Sequence, residues 1–215
     1  MQTEDEQLKQ LKNWWNSNGK SIFAGVLLAL ALTGGWRYFQ HYQSTQKNEA
    51  AILYQQILNA YMQEKVDEAV VVEQITALTR DYANLGYAHY ANLLRAKIAI
   101  DNNQVGEAID ILQALLNKNY DPNFNEMVRI RLSKALIEVQ KYDEALQVLN
   151  VETNNSLYKA MKAGLRGDIF IAQNNLAKAR EEYLFAHNLA INETGLEAFS
   201  IILQMKLDDL AIDES

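Results

Sequence analysis

The sequence predicts an all-α chain, with a single N-terminal transmembrane helix followed by a solenoid of stacked helical hairpins. Three observations predict it: one uncharged apolar run near the N-terminus, one short pattern that recurs four times, and a single proline in 215 residues. Sandwiches and barrels need a turn every 8–12 residues or so, which so little proline among so many Ala, Leu, Ile, Gln and Asn residues argues against. The absence of cysteine excludes a disulfide scaffold, a zinc ribbon and a thiol nucleophile. A net charge of −7 speaks against nucleic acid as a partner, because binding many phosphates needs an excess of Lys and Arg on one face.

Between Lys20 and Arg37 lie sixteen residues without a charge, Ser21 to Trp36. They make about 24 Å of helix, against a hydrocarbon core of about 30 Å. The flanks supply the rest. Trp14 and Trp15 precede the run, and Trp36, Tyr38, Phe39 and Tyr42 follow it, as aromatic belts do at the two interfaces. Lys20 and Arg37 can bury their stems and extend their charged ends outward. A core helix is seldom bracketed in this way, and a surface-lying helix needs a polar face that this run lacks. The Ala29-Leu30-Ala31 stretch has the form of a cleavage site, but Glu4, Asp5 and Glu6 do not suit the short basic start of a signal peptide. The expectation is an uncleaved anchor: a cytoplasmic tail over 1–20, a span over 21–39 and a soluble domain over 40–215. Lys9, Lys12 and Lys20 before the span outnumber Arg37 and Lys47 after it, which favours a cytoplasmic N-terminus. From Asn48 onward fifteen Lys and Arg face twenty-four Asp and Glu, a domain that anionic headgroups would repel.

No Gly or Pro occurs between Gly35 and Gly86, so the anchor helix is expected to run on into the soluble domain, with a stripe of Ala50, Leu53, Tyr54, Ile57 and Tyr61. Beyond it a turn-then-helix pattern recurs at Val66-Asp67-Glu68-Ala69, Val105-Gly106-Glu107-Ala108, Tyr142-Asp143-Glu144-Ala145 and Leu176-Ala177-Lys178-Ala179. The alanines are 39, 37 and 34 residues apart, and small residues stand twelve positions earlier at Ala96, Ser133 and Gly167. Polar turns precede each helix: Gln63-Glu64-Lys65, Asn102-Asn103-Gln104, Gln140-Lys141 and Gln173-Asn174-Asn175. A period near 34, with a small residue where two antiparallel helices approach, is that of a tetratricopeptide-like solenoid. The last unit fits best, with Ala163, Gly167, Phe170, Ala179, Tyr183 and Ala186 in register. The middle units are degenerate: Arg95 and Arg166 replace an apolar residue, and Leu112 and Leu149 replace an aromatic. Asn117 to Asn125 and Glu152 to Ser156 read as turns. Leu196, Phe199, Leu203, Leu207 and Leu210 then predict a terminal helix covering the end of the stack.

No catalytic constellation emerges, and no cofactor or metal is expected. Glu181-Glu182 and Asp208-Asp209 are adjacent pairs whose members point to different faces of a helix. Asp101, Asp121 and Asp143 lack the spacing of a calcium loop, and Gly164 to Gly167 lacks the strand and the GK[ST] ending of a phosphate loop. His41 reads as interfacial packing, and His89 and His187 as single surface or satisfied histidines. Arg129, Arg131 and Lys134 read as a small basic cluster on a solvated helix face, paired with the acidic surroundings. What remains is binding. Tetratricopeptide solenoids take ligands on the concave side, which implies a groove of Tyr90, Leu93, Lys97 and Ile100, then Met127, Ile130, Lys134 and Ile137, then Met161, Asp168 and Ile171. Met and aromatic residues in such a groove suit apolar peptide.

The acidic tail, Trp14 to Lys20, the span closing on Gly35-Trp36-Arg37-Tyr38, Leu165-Arg166-Gly167-Asp168 and Gln204-Met205-Lys206-Leu207 together resemble the YfgM family. The resemblance covers essentially the whole chain. It implies a non-enzymatic ancillary subunit of the SecYEG translocon in the bacterial inner membrane, single-pass, with a periplasmic domain. That domain would work with a PpiD-like periplasmic chaperone to hand over secreted chains. The alternative is a periplasmic scaffold for envelope assembly or cell division.

Overall fold

The computed structural model describes residues 4–63, 67–118 and 120–213. Among them stand nine helices and no strand: α1 (Glu4–Tyr61), α2 (Glu68–Asp81), α3 (Gly86–Asp101), α4 (Val105–Asn117), α5 (Pro122–Glu138), α6 (Tyr142–Leu149), α7 (Ser156–Ala172), α8 (Leu176–Ala190) and α9 (Glu197–Asp213). The all-α expectation holds. The chain divides into two compact units, Met1–Leu53 and Tyr54–Ser215. Glu64 and Lys65 of the first expected turn, Val66 of the first repeat pattern and Asn119 of the linker after α4 lie outside the described residues.

The first unit is helical throughout its described residues. Phe23, Val26, Leu27, Leu28, Leu30 and Leu32 are all exposed. Consecutive helical residues lie about 100° apart, so these side chains clothe every face rather than one stripe. The hydroxyl of Thr33, a polar group within this run, donates back to the carbonyl of Ala29 at 2.8 Å. Among the described residues no single helix is long and apolar enough to cross a membrane. Glu6–Lys20 and Phe23–Tyr61, bent by 46°, meet that requirement together by length and composition.

In the second unit the first helices α3, α5 and α7 alternate with the second helices α4, α6 and α8. Each first helix ends in the same way. Asn103, Gln140 and Asn174 take left-handed conformations, with φ of 58°, 59° and 56°. The amide of the residue that follows donates five residues back: Gln104 to Ala99, Lys141 to Leu136 and Asn175 to Phe170. This is the Schellman closure, which satisfies carbonyls at the helix end. It recurs at spacings of 37 and 34 residues, so the register read from the alanines is also a register of turns. Helix starts are equally explicit. Asp67, Asp121 and Asn155 accept hydrogen bonds from amides of the first turns of α2, α5 and α7. The Asp121 cap and Pro122 at the first position start α5 inside the stretch expected to be a turn, so that linker closes before Pro122.

The core follows the repeat positions. Ala108, Ala145 and Ala179 are fully buried, as are Ser133 and Ala163. Gly167 shows why smallness is required: a Cβ there would lie 2.4 Å from Cε1 of Tyr183. Arg95 and Arg166, which break the apolar pattern, are each neutralised by a second helix. Arg95 pairs with Glu107 at 2.6 Å, and Arg166 meets both carboxylate oxygens of Glu182 at 2.8 Å. Leu196, Leu203, Leu207 and Leu210 are buried and Phe199 half-buried, as the terminal helix requires.

Candidate functional site

The expected groove positions lie on α3, α5 and α7, and the structure sorts them into four kinds. Leu93 and Ile130 are buried and belong to the interior. Ile100, Met127 and Ile137 are half-buried against the main core. Lys97 and Asp168 are committed to partners. Lys97 donates to Asp101 at 2.5 Å and lies 5.7 Å from the centre of the Tyr61 ring. Hydrogen bonds to Asp101 and then Tyr61 hold its ammonium above the ordinary lysine range. Asp168 accepts from the Tyr183 hydroxyl at 2.7 Å and from Lys206, whose nitrogen also sits over the Tyr183 ring. Burial first, then this hydrogen bond, raises the Tyr183 phenol. These contacts tie α7, α8 and α9 together beside a cavity of about 380 Å³ that Ile171 also lines. Tyr90, Lys134 and Ile171 are exposed and Met161 half-exposed, leaving them available for contact.

Tyr90 is not isolated. Its ring meets Phe124 edge-on at 5.4 Å, Phe124 meets Tyr120 at 5.5 Å, and Tyr120 stacks on His89 at 3.6 Å. Tyr54 adds a contact with Tyr87 at 5.9 Å. Burial, and secondly the neighbouring Tyr90, raises the Tyr54 phenol. Burial also raises Tyr158, followed by the charge of Glu126. Burial lowers His89 despite its contact with the Ala83 carbonyl at 3.3 Å. Part of this aromatic cluster escapes sequence reading, because Tyr120 and Phe124 sit in a stretch whose Asn, Asp and Pro content signals only a turn.

A second feature is a buried ion pair. Lys162 of α7 meets Glu126 of α5 at 2.5 Å and donates to the Val151 carbonyl at 2.7 Å. Arg129 closes on the other oxygen of Glu126 at 2.8 Å. Arg129 is thus paired with an acidic neighbour as expected but is half-buried rather than solvated, whereas Arg131 and Lys134 are exposed. Beside the pair a cleft of about 550 Å³ opens between Leu146, Lys159, Lys162, Arg166, Phe170 and Phe185. Its origin is the length of α6, eight residues where α4 has thirteen and α8 fifteen.

Among the described residues no group of three or more His, Asp or Glu side chains gathers as a metal would require. A sequence model described as a tetratricopeptide repeat-like domain matches residues 12–212. The chain belongs to this tetratricopeptide-like family. Proteins named ancillary SecYEG translocon subunit resemble it over almost their full length. The one from Haemophilus influenzae is 29% identical, covering 96% of this chain and 97% of its own. That of Escherichia coli is 26% identical over 98% of both chains. That of Aggregatibacter actinomycetemcomitans is 28% identical over 96% and 97%. The resemblance seen in the sequence is borne out, and neither the family's description nor the relatives' name denotes a catalytic activity.

Proposed function

We propose that this chain is a non-catalytic, membrane-anchored subunit that associates with a SecYEG translocon. The observation that carries the proposal is end-to-end similarity to relatives bearing that name, with 96–98% of this chain aligned. The first unit supports the anchor, since a helix apolar on every face calls for an apolar surrounding. In this reading residues 1–20 are cytoplasmic, 21–39 span the inner membrane and 40–215 stand in the periplasm. Trp14, Trp15, Trp36 and Tyr38 hold the two interfaces, with Lys20 and Arg37 at the ends of the uncharged run.

The repeats then meet partners. Tyr90, Met127 and Met161 offer apolar surface on successive first helices, suited to a PpiD-like chaperone or to a secreted chain passing to it. Buried apolar area contributes roughly 25 cal/mol per Å², whereas exposed ion pairs contribute about 0–1 kcal/mol. Binding should therefore depend on these three residues more than on surface charge. The test is purification of the tagged full chain from membranes in mild detergent. SecYEG and a PpiD-like chaperone are expected to co-purify with the parent, and the chaperone to be lost when Tyr90, Met127 and Met161 become Ser, Gln and Gln. Co-purification of division or envelope-assembly proteins without SecYEG would replace the proposal with a scaffold.

A further inference from the structure

The terminal helix α9 has a second apolar face. Its buried face is that of Leu196, Phe199, Leu203, Leu207 and Leu210. Half a turn away, at the three- and four-residue spacing of one helix face, stand Ala198, Ile201, Met205 and Asp208, with Ile202 and Asp209 at their edge. Ile201, Ile202 and Met205 are 62%, 49% and 62% exposed, and both aspartates are exposed. Stacked repeats normally end in a polar outer face, which keeps the open end soluble. A helix apolar on two opposite faces is the pattern of an interior helix, not of a cap.

The charges decide what covers it. The one cation of α9, Lys206, is turned inward onto Asp168. Among the described side chains the outward face therefore ends in Asp208 and Asp209, with Glu197 in the first turn. A second copy docking α9 antiparallel would set Glu197 against those aspartates, and a parallel copy would set them against their own counterparts. An anionic lipid surface would be repelled for the same reason. A helix with an apolar stripe and Lys or Arg beside it satisfies both parts of the face.

We propose that the outward face of α9 docks a basic amphipathic helix of another polypeptide, continuing the helical stack beyond the last repeat. The inference does not depend on the translocon reading. Its test places a photoreactive benzophenone side chain at Ile201 or Met205 of the full chain in native membranes, with Phe185 of α8 as an exposed apolar control. Adducts from α9 should map to a segment of another polypeptide with apolar residues three and four apart and flanking Lys or Arg. Asp208→Lys, which alters an exposed side chain, should lower the yield about tenfold while the helical circular dichroism is unchanged. Adducts to a second copy, to lipid or to a segment lacking that pattern would overturn the proposal. So would no adduct, equal capture of the same segment from Phe185, or a yield indifferent to Asp208→Lys.

Discussion

The two compact units draw on the same apolar residues and place them oppositely. In Met1–Leu53 Phe23 and the leucines from Leu27 to Leu32 point outward on every face, and in Tyr54–Ser215 Leu78, Leu112, Leu136 and Leu149 point inward. Charge makes the difference. The first segment has none for sixteen residues, so it has no face to turn to water; the second distributes charge along each helix, so one stripe is left to bury. Helix formation is common to both, and the expected surrounding differs.

The sharpest break of this contrast is to give the first unit a polar centre. Leu27→Lys with Leu30→Lys puts two charges where the proposed span is deepest, each costing about 3 kcal/mol. Membrane fractionation should find the double variant in the soluble fraction or degraded, and stable membrane retention would refute the span. In the second unit the matching break is to unpair its buried charge. Lys162→Met leaves the buried Glu126 with Arg129 as its cation and its other oxygen without one, and the loss should approach the about 3–5 kcal/mol of a broken buried pair. Adding Glu126→Leu should recover most of it, which urea denaturation of the two variants reads directly.

A smaller effect comes from Gly167→Leu. The Tyr183 ring occupies the space a side chain needs, and overpacking costs typically about 1–3 kcal/mol. A lower melting midpoint is expected; an unchanged one would show that α7 and α8 yield more readily than their packing indicates. The smallest effect is on pH. Burial places the folded-state pKa of His89 below its unfolded value. Stability from this site is full above the ordinary histidine range and declines as pH falls through that range and on to the lower folded value. Between about pH 7.5 and about 5.5 the parent should lose more stability than His89→Gln, judged by the change in melting midpoint.

Much of this was legible from residue spacing. The alanine register located the turns at Asn103, Gln140 and Asn174, and it marked Gly167 before Tyr183 was known to lie over it. Two features were not legible. Glu126 and Lys162 look like solvated charges in a pattern read one helix at a time, because their pairing depends on α5 and α7 meeting. The outward face of α9 was missed because a periodicity search selects the stronger stripe, and Leu196 to Leu210 outweighs Ile201, Ile202 and Met205. The linker after Asn117 is shorter than its composition suggests, since Asp121 and Pro122, both turn formers, cap and start α5. Of the groove positions, Leu93 of α3 and Ile130 of α5 are buried, because a register carried over from the family gives the face of a helix but not which neighbour covers it here.

Association with the translocon is tested most directly at the end of the proposed span. A photoreactive side chain at Trp36 of the full chain, illuminated in intact cells, should form adducts with SecY, SecE or SecG. Those adducts should persist when Tyr90, Met127 and Met161 are made polar, because Trp36 belongs to the proposed anchor and these three side chains to the repeats. Capture of division or envelope-assembly proteins alone, or of no protein at all, would contradict it.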